Sequence, residues 1–156
     1  DIIESQGFLG RVREIQIFNT ILLTMDNKRV VIPNSLLSNG CVTNLFCEPT
    51  RRVDITFGLS YQDDIIAVKK VFPEIMQADD RIINEPAFEI FVSAHADSSI
   101  NILTRSWVKS EDYWSVHFDM YEKVKLAFDD KGITIPFPQR DIFIKEMSPP
   151  GVDTSA

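Results

Sequence analysis

GITIPFPQRDIFIKE, residues 132–146, reads as two extended stretches separated by a proline break. Ile133 to Phe137 opens with alternating β-branched residues and predicts a strand that completes whatever sheet precedes it. Asp141 to Glu146 also alternates between two faces, but it arrives after that sheet is already full. A strand with no mate leaves its N–H and C=O groups unpaired on both edges. Identical strands from other copies of the chain can supply the partners. Copies related by rotation run parallel, and a ring of them closes without a free edge. About eight strands make a barrel filled by its own side chains, so a ring of roughly six to eight chains is expected. A swapped or self-paired strand is the alternative.

Working back from that stretch, the preceding segment alternates strands with helices. RRVDITFGLS predicts a strand, and YQDDIIAVKKVFPEIMQ places Ile65, Val68, Phe72, Ile75 and Met76 on one helical face. Pro73 lies inside that helix and predicts a kink or a broken last turn, because proline removes a hydrogen bond and crowds the preceding turn. AFEIFVSAH and SINILTRSWVK predict a hairpin about Asp97-Ser98. A second helix follows, with Ser110 as its cap, Glu111 and Asp112 at its positive end and Gly132 as its stop. Its expected core stripe is Trp114, Phe118, Tyr121, Val124 and Phe128. The order β-α-β-β-α-β, ending on Ile133–Phe137, is the ferredoxin-like split unit.

The first fifty residues carry a different pattern. DIIES, FLGRVREIQIFN, TILLTM and RVVIPN are short strands, with Gln6-Gly7 and Asp26-Asn27 at turns. Val12, Ile15, Ile17 and Phe18 break strict alternation, and Gly10 stands where a strongly bent strand needs it. SLLSNG predicts one helical turn, and CVTNLF closes a set of five strands. Five short curved strands indicate a small barrel of the SH3 or Sm type. The expected organisation is α+β: a small β domain of the SH3-like or Sm-like type over 1–49, a ferredoxin-like α/β domain over 50–138, an inter-subunit barrel strand over 139–147 and a disordered tail over 148–156.

Composition limits the functions available. An apolar content of 44% with 25% charged residues suits a globular chain. The net charge of −7 disfavours a general nucleic-acid binder, which needs clustered Lys and Arg. The acidity is uneven, with four basic and five acidic residues in 1–50 against ten and fifteen in 51–135. Apolar runs such as Val30 to Pro33 fall far short of the roughly 18–20 residues that span a bilayer. Asp1-Ile-Ile-Glu begins as though inside a strand, so the chain is expected to be part of a longer protein. Cys41 and Cys47 lack zinc-site spacing and predict reduced structural thiols.

No catalytic constellation emerges. His95 and His117 have no nucleophile beside them in the sequence, and phosphate-binding glycine motifs are missing. Of the paired acids Asp63-Asp64, Asp79-Asp80 and Asp129-Asp130, the first fits helix capping. Arg51-Arg52 is expected in an ion pair between domains or subunits rather than on a phosphate, and Trp114 in the core rather than stacked on a base. An enzyme is the least expected class, and no cofactor or metal is called for. An RNA-binding module built from an Sm-like barrel and a ferredoxin-like sheet is the alternative reading. A ligand sensor using the groove between the two domains is a third.

GFLGRVREIQIFNTILLTMDNKRVVIPN, SNGCVTNL, RRVDITFGLSYQDDI, DSSINILTRSWVKSEDYW and GITIPFPQRDIFIK, in that order, resemble the cytoplasmic region of the small-conductance mechanosensitive channels, the MscS family. The spacing from Gly10 to Thr20, Val-Ile-Pro-Asn at 31–34 and Pro-Phe-Pro-Gln at 136–139 carry most of the likeness. The resemblance implies a homoheptamer, with a vestibule below the membrane that admits ions and small osmolytes to a tension-gated pore relieving hypo-osmotic shock. It implies that Gln139, Asp141, Ile142, Phe143, Ile144 and Lys145 belong to the shared barrel strand. It implies that Pro33, Asn34, Ser35 and Leu36 face the transmembrane part of the full-length protein in the inner or plasma membrane, this region being cytoplasmic. No nucleic acid is implied as a partner.

Overall fold

The structure, a computed structural model, describes residues 1–143. The N-terminal sheet contains β1 (Ile2–Ser5), β2 (Phe8–Ile15), β3 (Asn19–Thr24), β4 (Arg29–Pro33) and β5 (Thr43–Asn44), in the order β4-β3-β2-β1-β5. β5 returns beside β1, which is the Sm-like arrangement. Gln6 and Gly7 turn β1 into β2 with φ of 53° and 77°, the left-handed pair that a two-residue hairpin requires. Ile3, Leu22 and Ile32 make the small buried core of this sheet.

The bend expected in β2 is present as a bulge between Val12 and Glu14. It pushes the end of the strand out of the core, which explains why Ile15 is exposed although its neighbours in sequence are strand residues. Gly10 allows β3 to approach closely: a Cβ there would stand 2.8 Å from the Leu23 carbonyl oxygen and 3.0 Å from its carbon. Gly10→Ala is therefore expected to cost about 1–3 kcal/mol, since backbone rather than a flexible side chain must yield. Urea unfolding of the two forms measures it.

The second sheet runs β6-β9-β7, with β8 on the same edge of β9 as β7. Its strands are β6 (Thr50–Leu59), β7 (Ile82–Ile83), β8 (Glu89–His95) and β9 (Ile100–Lys109), and its helices are α2 (Ile65–Gln77) and α3 (Tyr113–Asp130). A short helix, α1 (Asn34–Asn39), belongs to the first unit. β6 and β9 pair antiparallel along ten residues each and alternate between core and surface. Val53, Ile55, Phe57, Leu59, Ile102 and Val108 meet Val68, Phe72 and Met76 of α2 and Val116, Met120, Val124 and Phe128 of α3. Phe72 holds the centre, 5.5 Å from the Phe57 ring and 5.8 Å from that of Phe128.

Several expectations are corrected here. α2 continues through Pro73 to Gln77, so its last turn is not broken. Burial of Phe72 and Met76 on either side of the proline outweighs the single hydrogen bond it removes. The buried stripe of α3 is Val116, Met120, Val124 and Phe128, while Trp114, Phe118 and Tyr121 are exposed. Ser110 does not cap α3. It begins a 3₁₀ turn, and its hydroxyl donates to the Glu48 carbonyl, tying the second unit to the end of the first. Gly132 does stop the helix, with φ of 67° and the Ile133 amide donating to Phe128.

The strand expected over Ile133–Phe137 is also absent. Only Thr134 bonds at the free edge of β6, its carbonyl accepting from the Ser60 amide at 3.1 Å. The residues that would extend this contact share the parity of Thr134, and they are Pro136 and Pro138, which have no N–H to donate.

One polar cluster joins α2, β7 and α3. Asp79, buried beyond the end of α2, receives Arg81 at 2.7 Å and Lys123 at 2.8 Å, and Arg81 also reaches Asp119 at 2.7 Å. The Arg81 guanidinium and the Lys123 ammonium hold the Asp79 carboxyl well below the usual carboxylate range.

Candidate functional site

Two exposed apolar surfaces stand at the sequence-predicted positions. The first surrounds the residues expected to face the membrane. Pro33 ends β4, and Asn34 begins α1, followed by exposed Ser35 and Leu36. Asn34 is committed within the chain. Its amide group donates to the carbonyls of Gln16 at 2.8 Å and Ile17 at 3.1 Å, its side-chain oxygen accepts from Thr20, and its backbone N–H reaches Phe18. Those bonds fold the β2–β3 connection so that Ile17 and Phe18 point outward, 86% and 78% exposed. Ile15, Val31 and Leu36 are also exposed. Sequence reasoning named the loop and missed this apolar tip, although Ile17-Phe18 breaking the alternation was its signal.

The second surface lies on the C-terminal segment. Phe137, Ile142 and Phe143 are 83%, 80% and 92% exposed, and Gln139–Phe143 pair with no strand among the described residues. Ile144 and Lys145 fall outside the described residues. Leaving the side chains of Phe137, Ile142 and Phe143 in water forgoes roughly 1.5–3 kcal/mol each relative to burial.

The positions weighed for chemistry have structural partners. Asp64 caps α2 through the Ile66 amide. On the open face of the second sheet Arg52 makes a two-point contact with Asp54, and Arg105 lies between Asp54 and Glu89. Each of these cations meets a carboxylate, so the face presents paired charges rather than a basic track for a phosphate backbone. Arg51 stacks over the Tyr113 ring at 3.7 Å. His117 stacks on Tyr113 and touches Trp114, Phe118 and Tyr121 at their edges, making α3's outer face aromatic. His95 packs its edge on Tyr61.

Cys41 and Cys47 are free and exposed, not structural core thiols. A groove does separate the two sheets, with a mostly apolar surface from Phe46, Pro49 and Ile83 and with Glu48, Lys109 and Glu111 also along it. Among the described residues, no helix is long and apolar enough to cross a membrane.

Two family models match in chain order: the β domain of mechanosensitive ion channels over residues 1–46, and the MscS C-terminal region over 53–135. The small-conductance mechanosensitive channel of Edwardsiella ictaluri is 41% identical over 144 residues, covering 92% of this chain and 50% of that protein. That of Helicobacter pylori is 35% identical over 147 residues, covering 93% and 53%. The chain thus spans about half the length of these relatives. The crystal structure of Helicobacter pylori MscS in its closed state superposes with a TM-score of 0.89 at 32% identity, over 94% of this chain and 58% of that one. Arabidopsis thaliana MSL1 shares the fold, with a TM-score of 0.70 at 17% identity. With both models matched in order across 1–46 and 53–135, the chain belongs to the MscS family of mechanosensitive ion channels.

Proposed function

We propose that this chain forms, as a homoheptamer, the cytoplasmic vestibule of a tension-gated channel that releases ions and small osmolytes on hypo-osmotic shock. The observation that carries the reading is that Phe137, Ile142 and Phe143 stand exposed on a C-terminal segment that pairs with no strand among the described residues, in a member of this family. Residues 139–147 contribute one strand per copy to a shared parallel barrel at the base, through Gln139, Asp141, Ile142, Phe143, Ile144 and Lys145. Residues 1–49 form the unit nearest the membrane, and 50–138 form the vestibule wall. Pro33, Asn34, Ser35 and Leu36, with the apolar tip at Ile17 and Phe18, meet the channel's own transmembrane part. The aromatic face of α3 is covered by a neighbouring copy.

No bond is made or broken in this role. Tension favours the state with the larger in-plane area and so shifts a two-state population. The vestibule wall meets the permeating ions first, and the paired charges of its open sheet face hold no strong net sign. Expression of the complete gene product in a bacterium stripped of its own mechanosensitive channels tests the proposal. Survival of abrupt dilution, with stretch-activated currents in membrane patches, is the expected result. Cells that lyse, and patches that stay silent despite normal protein levels in the membrane, overturn it.

A further inference from the structure

Thr134 to Gln139 is held at both ends. At its start, the Thr134 amide donates to the Asp63 carboxylate at 3.0 Å, and the Thr134 carbonyl accepts from Ser60 at 3.1 Å. At its end, the Gln139 amide donates to the Ser98 hydroxyl at 3.0 Å. Between these points stand Pro136 and Pro138, whose rings fix φ and keep Ile135 and Phe137 extended. Such a strut spans about 16 Å for its five steps at the extended proline-rich rise.

The two anchors are joined to each other. The Tyr61 hydroxyl donates to the Ala96 carbonyl at 2.7 Å, binding the loop after β6 to the β8–β9 turn, and the Ala96 amide closes that turn onto Ser99. The side chains of Asp63 and Ser98 therefore project from one braced frame. A segment fixed at both ends leaves in a set direction, whereas one fixed only at Thr134 sweeps a wide arc.

We infer that Asp63 and Ser98 are positioning residues that clamp the proline strut and aim the following segment, Arg140 onward, at its counterparts in neighbouring copies. This rests on the ring proposed above. Its physical content is preorganisation: each copy presents its strand already oriented, so less freedom is lost when the barrel closes. Nothing in the clamp belongs to the core, so its loss changes assembly without unfolding the protomer.

Hydrogen exchange and native mass spectrometry on the 156-residue chain test this. The amides of Thr134 and Gln139 are expected to exchange about tenfold more slowly than unbonded neighbours. Asp63→Ala should release the first and Ser98→Ala the second, and the double alanine variant should reduce the ring fraction at least about tenfold while its circular dichroism spectrum stays that of the folded protomer. The conservative double variant Asp63→Asn/Ser98→Thr, which keeps both acceptor oxygens, should assemble like the wild type. Fast exchange at both amides in an intact wild-type ring overturns the clamp and leaves the ring standing. A double alanine variant that assembles like wild type overturns the aiming role. A wild-type chain that stays monomeric with both amides protected overturns the ring and not the clamp.

Discussion

Phe143→Asp is expected to convert the assembled ring into separate chains while leaving each protomer folded. Phe143 is 92% exposed and touches no core residue, so within one chain the change amounts to a surface substitution, within about ±0.5 kcal/mol. In a closed barrel the same change repeats once per copy. Neighbouring strands lie roughly 4.8 Å apart, so the new carboxylates crowd one another and lose water together. A penalty of only about 3 kcal/mol per ring contact already weakens assembly by more than about 100-fold. Native mass spectrometry reads the oligomer, and the thermal midpoint reads the protomer. An unchanged oligomer mass would remove Phe143 from the interface.

Asp79→Ala should produce the largest loss of protomer stability. The Asp79 side chain is 4% exposed, and its removal leaves Arg81 and Lys123 facing each other without their shared anion. Arg81 keeps Asp119 as a partner and Lys123 is 41% exposed, so the cost stays below that of a fully buried pair. It comes to about 2–3 kcal/mol, which lowers the melting temperature by roughly 5–10 °C for a chain of this size. The same cluster predicts an acid dependence. The folded-state pKa of Asp79 is lowered from 3.8, so the unfolded chain binds the proton more readily. Stability from this group is full above about pH 4 and is lost as pH falls through the folded value. Acid titration of unfolding free energy should therefore show a steeper fall below about pH 4 in the wild type than in Asp79→Asn. Parallel curves would show that Asp79 is not the anchor.

Much of the fold was legible because short-range rules fixed it. The two-residue period of β6 and β9, the face Val68–Phe72–Met76 of α2 and the turn at Gln6-Gly7 each depend on neighbours a few residues away. The alternating pattern at Asp141 to Phe143 was also visible in one dimension, but the sheet it was expected to follow is not completed by Ile133–Phe137. The apolar tip at Ile17 and Phe18 was only half legible. The broken alternation marked it, but its outward direction depends on Asn34, which lies 17 residues from Ile17.

α3 shows where local pattern stops deciding. It carries two apolar stripes, and periodicity favoured the aromatic one over Val116 and Met120. At about 100° per residue the stripes lie partly around the helix from each other, and only the facing surface of β6 and β9 selects which is buried. Asp79 taught the same lesson, because its partner Lys123 is 44 residues away. The chain's own sequence determined the long strands β6 and β9, the extents of α2 and α3 and the turn at Gln6-Gly7. Tertiary structure alone decided which helix face goes inside, which carboxylate becomes an anchor and where proline stops a sheet from growing, because burial and pairing depend on residues that meet only in the folded chain.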